Sequence, residues 1–455
     1  MKNSDPLFND FSAVSAQQWK QKIQFELKGK DYNESLVWES LEGIKVKPFY
    51  TSEDSTELDL QPKKSDSWRI AQAIFGGNAE MANKKAIKAL DKGAESILFT
   101  IPSADIEIEV LLKNINLETT IVYLEFQFLS LDYVSKVFKL QKESNAGLFL
   151  NFDIINNLCK SGNWQYNLEK DFELFSELIK DSKNLTVDAA LYQNAGATNV
   201  QQLAYALAHA NEYLNRIPES IVPNSTFIFK IAVGPNYFFE IAKLRALRIL
   251  WETLASEYNA NTTCHILAIP SKRNKTLYDY NTNMLRTTTE CMSAILGGAD
   301  TICNLPYDAI YHKNNEFGER IARNQLVILK EESYFDKTAN AADGSYYIET
   351  ITKQLAEKAL ALFKDLEKAG GFLSQLKSHA IQKKIKESAQ KEQDLFDAQK
   401  EILVGINKYA SPLDKMKDAI EIFPFVKNKP RKSVLEPIIE RRLAEGIEQK
   451  RLKDE

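Results

Sequence analysis

Side chains able to do acid–base, nucleophilic or metal chemistry are few in this sequence, and they are badly spaced for it. There are four histidines, His209, His265, His312 and His379, and four cysteines, Cys159, Cys264, Cys291 and Cys303. No two histidines stand at metal-ligand spacing and no cysteines form CxxC, so neither a zinc site nor a redox pair is written in the chain. The cysteines read as buried free thiols. Gly76-Gly77 and Gly297-Gly298 are isolated pairs, without GxGxxG or GxxxxGK[ST] around them. They read as tight turns and helix ends, not phosphate cradles. His209 falls mid-helix, His312 and His379 fall in charged segments, and His265 stands near the start of an apolar run.

Such apolar runs would have to position any site. They recur at 96–101, 119–127, 147–154, 185–192, 226–233, 264–269 and 299–305, with segments of helical period between them, such as 201–216 and 238–254. That cadence is a strand, a loop, a helix and a loop, repeated. Successive βα units predict a parallel sheet. The runs give seven strands, and 326–335 or 344–348 would supply an eighth. The natural closure is a (β/α)8 TIM-type barrel, with an open doubly wound sheet as the alternative.

A barrel keeps its active site at the C-terminal ends of its strands. There the sequence offers Ser103, Gln127, Asp153, Gln193, Asn236, Ser271 and Asn304. This set holds one carboxylate and no histidine, so it contains no pair for general acid–base catalysis. The residues alone describe a barrel without a visible catalytic constellation.

Three regions are expected. Residues 1–60 form an arm, where Ser15 and Gln18 make a capping box and Trp19, Ile23 and Leu27 recur at helical spacing until Gly29. Trp38, Ile44, Val46, Phe49 and Tyr50 follow as extended positions. So short an arm cannot bury Trp19 and Trp38, which must pack on the barrel or on a partner chain. Residues 61–348 form the barrel. Residues 349–455 form a helical extension, with helices over 350–369, closed by Gly370-Gly371, and over 373–403, then a polar tail.

The 455 residues are 44% hydrophobic and 26% charged with a net charge of −4, an ordinary globular balance without an electrostatic footprint for nucleic acid. The basic run at 429–432 reads as a solvated tail. The N-terminus lacks a signal-peptide core, and no apolar run approaches membrane-spanning length, so the expected location is cytoplasmic.

Residues 231–254 read IAVGPNYFFEIAKLRALRILWETL, and further segments stand in register with them. These are Gly29-Lys30-Asp31-Tyr32, Trp68-Arg69-Ile70-Ala71-Gln72, Asn194-Ala195-Gly196-Ala197-Thr198, Arg320-Ile321-Ala322-Arg323-Asn324-Gln325 and Asp343-Gly344-Ser345-Tyr346-Tyr347. Together they resemble the coenzyme-B12-dependent acyl-CoA mutases, above all methylmalonyl-CoA mutase, over nearly the whole chain. The resemblance implies a barrel that works with adenosylcobalamin on acyl-CoA esters.

Departures from the family pattern qualify that implication. Ala73 stands where catalytic members carry a tyrosine over the substrate. Leu267 falls where a histidine lies between substrate and cobalamin. Leu191 is set opposite the histidine before the AGAT motif, and Ile302 lies in a run that replaces His-Thr-Asn. The family's DxHxxG motif is absent, and the tail after Tyr409 is too short for a cobalamin-binding domain. Leu and Ala donate nothing to a substrate carbonyl. The resemblance therefore implies a chain with no catalytic, cofactor-binding or metal-binding residues of its own. It would support a large catalytic subunit in a heterodimer, with adenosylcobalamin held by that partner and Trp19 and Trp38 in the interface. A homodimer is possible when the chain is isolated. Two alternatives stay open. One is a catalytic-type mutase chain working with a separate cobalamin-binding protein. The other is a divergent CoA-ester-binding barrel, with Arg69, Lys272, Arg273 and Arg286 on the CoA phosphates.

Overall fold

The computed structural model describes residues 10–54, 67–144, 147–182, 184–427 and 431–455. The expected arm–barrel boundary at 60/61, the first nine residues and Lys429-Pro430 of the basic run lie outside them. Eight parallel strands form the central sheet: β1 (Arg69–Phe75), β2 (Ser96–Ile101), β3 (Ile121–Phe126), β4 (Leu148–Asn151), β5 (Asn184–Asp188), β6 (Thr226–Val233), β7 (Cys264–Pro270) and β8 (Thr301–Cys303). Their order is β4-β3-β2-β1-β8-β7-β6-β5, so β8 pairs back onto β1 and the sheet curls into a nearly closed barrel.

The eighth strand is not where the apolar runs put it. Residues 326–335 hold the end of a helix, Glu316–Val327, and a π-helical turn, Ile328–Glu332, while Tyr346–Lys368 is helix. The missing strand is β1. Its sequence, RIAQAIF, carries Gln72 on an outward position that reaches Arg323, and this breaks the apolar run.

Alternation along the strands separates two cores. Outward residues such as Ile70, Phe99, Leu124, Phe229 and Ile302 join the layer under the surrounding helices. Inward residues Ala71, Leu98, Tyr123, Ile228, Leu267 and Cys303 pack on one another inside the bore. The four cysteines are free and buried, and burial pushes the thiols of Cys264 and Cys303 up to about 12.

Among the described residues no backbone ladder joins β4 to β5. Side chains span that gap instead. Asn184 accepts from the Leu150 amide at 3.1 Å and donates to the Leu150 carbonyl at 2.8 Å. Thr186 donates to Asn151 at 3.0 Å, and the Asp188 amide donates to Asp153 at 2.6 Å.

The arm helix, Ala16–Glu26, has the expected Ser15–Gln18 capping box but buries none of its residues. Trp19 rests on Phe49 and Trp38 on Phe239, and each tryptophan stays 51% exposed. C-terminal to the barrel, helix Tyr346–Lys368 packs on helices Tyr237–Glu257 and Asn199–Leu214. The expected second helix is broken into Phe372–Lys377 and Ala380–Asp397, with His379 at φ 62° between them. An extended segment, 431–443, then crosses the barrel mouth before helix Glu445–Asp454. No described helix is long and apolar enough to cross a membrane.

Candidate functional site

A barrel's chemistry would sit in the bore and at the C-terminal mouth. The lower bore is filled. Tyr123, Ile228 and Leu267 are fully buried there, with Phe149 stacked on Tyr123 at 5.3 Å. Tyr123 bonds to both His265 and Thr301 at 2.7 Å, so His265 is tied to the N-terminal end of the barrel.

Above this layer three charged side chains meet. Lys230, on β6, reaches Glu125, on β3, at 2.5 Å and Asp188, on β5, at 3.2 Å. Burial works against the Lys230 charge, but Asp188 and Glu125 outweigh it and raise the pKa well above the ordinary lysine value. Burial raises the Asp188 carboxyl, which Lys230 only partly relieves because Glu125 and Asp153 add repulsion. Lys230 is thus a permanent cation, neither a base nor a nucleophile. Asp188 is the member whose carboxyl is held above its ordinary range. The triad braces the bore; it does not prepare it for chemistry.

At the mouth, Asp153 proves to have a histidine partner after all. His209 Nε2 lies 3.0 Å from its Oδ1, the Tyr213 hydroxyl donates to the same oxygen at 2.7 Å, and Tyr192 lies 3.0 Å from His209 Nδ1. His209 is fully buried and Phe372 stacks on it at 5.6 Å, so the group faces no open space. Its use is mechanical, since it ties helix Asn199–Leu214 to the end of β4. Three further strand-end residues sit at the starts of loops and helices. Ser271 bonds to Asn194, Asn304 donates to Ala322, and Asn236 heads helix Tyr237–Glu257.

A cavity of about 410 Å³ opens between the arm, the loop at 193–199 and the C-terminal extension, with Trp38, Gln193, Asn236, Glu240, Arg273 and Glu392 in its wall. Glu240 and Lys243, 2.5 Å apart, lie beneath it, both almost fully buried. Burial raises Glu240 and lowers Lys243, and their mutual attraction opposes both shifts. Lys243 also donates to Gln202 and to the Ala232 carbonyl at 2.8 Å, which fixes it between helix Asn199–Leu214 and β6.

A family profile described as methylmalonyl-CoA mutase matches residues 101–450. The chain belongs to the methylmalonyl-CoA mutase family. It is 35% identical to the methylmalonyl-CoA mutase small subunit of Porphyromonas gingivalis, over 92% of this chain and 74% of that one. The small subunit of Streptomyces virginiae is 27% identical over 88% of this chain and 71% of its own. The methylmalonyl-CoA mutase of Cereibacter sphaeroides is 29% identical over 86% of this chain, which spans only 64% of that protein. Among solved structures, dihydropteroate synthase from Thermus thermophilus covers 58% of this chain and 94% of its own at 13% identity, but its TM-score of 0.31 is too low to argue from.

Set in this mutase-family barrel, the departing positions fall into two groups. Leu267 is buried among the inward residues, and Ala73 points to the mouth and is exposed. Ile302 and Leu191 lie in the outer core, where they pack under helices. The reason for Ile302 is alternation, because Thr301 and Cys303 take the inward places. The four cations expected on CoA phosphates are not brought together. Arg69 stands at the N-terminal end of β1 and donates to Thr119. Arg273, at the opposite mouth, is 5% exposed and bound to Glu392 at 2.5 Å. Lys272 faces Glu440 at 3.7 Å, and Arg286 donates to Thr276 and Val404.

Sequence reasoning missed the Lys230 triad and the Asp153–His209 contact. The available signal was three charged residues in mid-strand or strand-end positions of otherwise apolar runs: Glu125, Asp188 and Lys230.

Proposed function

We propose that this chain is the non-catalytic small subunit of a heterodimeric methylmalonyl-CoA mutase, working in the cytoplasm. A large partner subunit holds adenosylcobalamin and interconverts methylmalonyl-CoA and succinyl-CoA. The observation that carries this reading is the filled bore. Tyr123, Ile228 and Leu267 occupy its axis and the Lys230 triad stands above them, so an acyl chain threaded there would have to displace both. The names of the small-subunit relatives support the same reading. No residue of this chain is assigned to cofactor, metal or catalysis; the region before residue 61 and its half-exposed Trp19 and Trp38 face the partner, the barrel spans 61–348, and the extension follows. Large aromatics with an apolar body and a polar handle are the residue types that dominate interfaces.

The test is turnover of methylmalonyl-CoA with adenosylcobalamin, by the chain alone and by the chain co-purified with a large mutase subunit. Activity is expected only in the pair. Trp38→Ala is expected to weaken the pair about thirtyfold or more, the size of an interface hot spot. Turnover by the isolated chain would overturn the reading.

A further inference from the structure

The β4–β5 junction is the one place in the barrel where side chains replace a backbone ladder among the described residues. The replacement is incomplete, since the buried Nδ2 of Asn151 has no hydrogen-bond partner. One segment crosses the mouth above this junction, bonded to the segments that follow the two strands. On the β4 side, the Val434 and Leu435 amides donate to the Gly162 carbonyl at 3.0 and 3.1 Å, and the Ile438 amide donates to Cys159 at 2.7 Å. On the other side, the Arg441 amide donates to Asn194 at 3.1 Å, at the end of the short helix Ala190–Asn194 after β5, and the Leu443 amide donates to Arg273 at 2.9 Å, in the loop after β7. Arg273 returns a bond to the Arg441 carbonyl at 2.8 Å, and Glu440 accepts from Asn194 at 3.1 Å.

Side chains fix the segment at both ends. Leu435 and Ile438 are buried in the main core, and Leu443 at the far end is buried in a second cluster. Gly162 has φ +75°, and a Cβ there would stand 2.5 Å from the Leu435 carbonyl oxygen, so the crossing needs glycine beneath it. Beside these anchors the segment is not packed solid. A cavity of about 550 Å³ lies between it and helix Ala380–Asp397, with Gln382, Ile385, Pro437 and Ile438 in its wall, although Gln382 still donates to the Glu436 carbonyl at 3.0 Å.

We propose that residues 431–443 are a clasp over the β4–β5 seam, whose release lets these two strands part while the ladders of the other junctions stay paired. The inference does not depend on the mutase reading. Local opening is drawn from the low-stability end of a structure, and here the junction without a backbone ladder and the strap above it coincide. The strap therefore makes a barrel opening depend on whatever holds or displaces the C-terminal segment.

Hydrogen exchange on the full chain tests this, with Gly162→Ala against Gly29→Ala. Both glycines have positive φ, but nothing lies within 4 Å of a Cβ at Gly29. In G162A the peptides of the strap, β4 and β5 are expected to exchange about tenfold faster or more, a change of one log unit in local opening. Peptides of β1–β2 and β6–β7 should stay near the wild-type rate, and G29A should leave the seam unchanged. A freed strap over an unchanged seam would overturn the proposal. So would equal acceleration of all eight strands, since that reports global unfolding. Should G162A fail to fold, Ile438→Ala removes one buried anchor without touching the backbone, and the same two outcomes decide.

Discussion

Two junctions of one barrel are built by different means. Between β6 and β7 the backbones pair without interruption from Phe227 with Cys264 to Val233 with Pro270. Between β4 and β5 the strands are held by Asn184, Thr186 and Asp153, reinforced above by Tyr213 and His209 and, across the mouth, by the strap. A ladder depends on no particular side chain, so single substitutions there change packing and leave the pairing alone. A seam made of side chains fails one residue at a time. The contrast teaches where this barrel is vulnerable. The junction that looks most like a gap is the one whose residue identities matter.

The largest expected effect comes from Lys230, which stands on the ladder side and reaches across the bore to Glu125 on the other side of the seam. Lys230→Met leaves Glu125 and Asp188 facing each other without their cation. Removing one partner of a largely buried pair costs about 3 kcal/mol or more, measured as urea stability at pH 7. The loss has a defined pH dependence. Asp188 titrates above its unfolded value of 3.8, so the folded form takes that proton first on acidification. The penalty shrinks as pH falls through the raised value and is gone below the unfolded one. A loss that grew on acidification would contradict the triad.

Asn184→Ala comes next. It strips the Leu150 amide and carbonyl of their partners in a buried site, at about 2–3 kcal/mol, and exchange should quicken in β4 and β5 only. Ile228→Val on the ladder side is the matched control, costing about 1 kcal/mol without local opening. Equal exchange profiles for the two variants would erase the contrast between the junctions.

Glu440→Gln has a smaller effect, about 1 kcal/mol or less, because the pair with Lys272 is partly exposed. Burial pushes the Glu440 carboxyl up, but Lys272, Lys160, Asn194 and Lys230 together pull it below its ordinary value of 4.5. Its contribution is therefore full above 4.5 and is lost as pH falls through the lowered value. Seam protection should drop on that acidification in the wild type and not in E440Q. At the bottom of the scale, Trp19→Ala should change the stability of the isolated chain by no more than about 0.5 kcal/mol, since the residue is half exposed.

Much of the scaffold was legible. Seven apolar runs became seven strands, and the arm's capping box formed as written, because both are local patterns with local physical causes. β1 escaped because Gln72 on its outer face interrupts the run. The single helix expected over 373–403 is two, because His379 adopts a left-handed backbone that the helical period does not announce. The candidate site was less legible. Asp153 looked alone at its strand end because its partners, His209 and Tyr213, arrive from a helix two elements later. Leu191 and Ile302 stand with Leu267 by their register in the family motifs, yet only the direction of each side chain separates packing under a helix from filling of the bore.

The sequence by itself determined a βα cadence, an arm with a capped helix, a helical extension and membership of the mutase family, since period, caps and motif order are properties of neighbouring residues. Only the tertiary structure decided that, among the described residues, the ring is closed by backbone everywhere except between β4 and β5. It also decided that Lys230 meets Glu125 and Asp188 across the bore, and that the strap at 431–443 spans the open junction. Register, the direction of a side chain and contacts between distant residues arise when strands take their places around a common axis, and no local pattern in the chain encodes that placement.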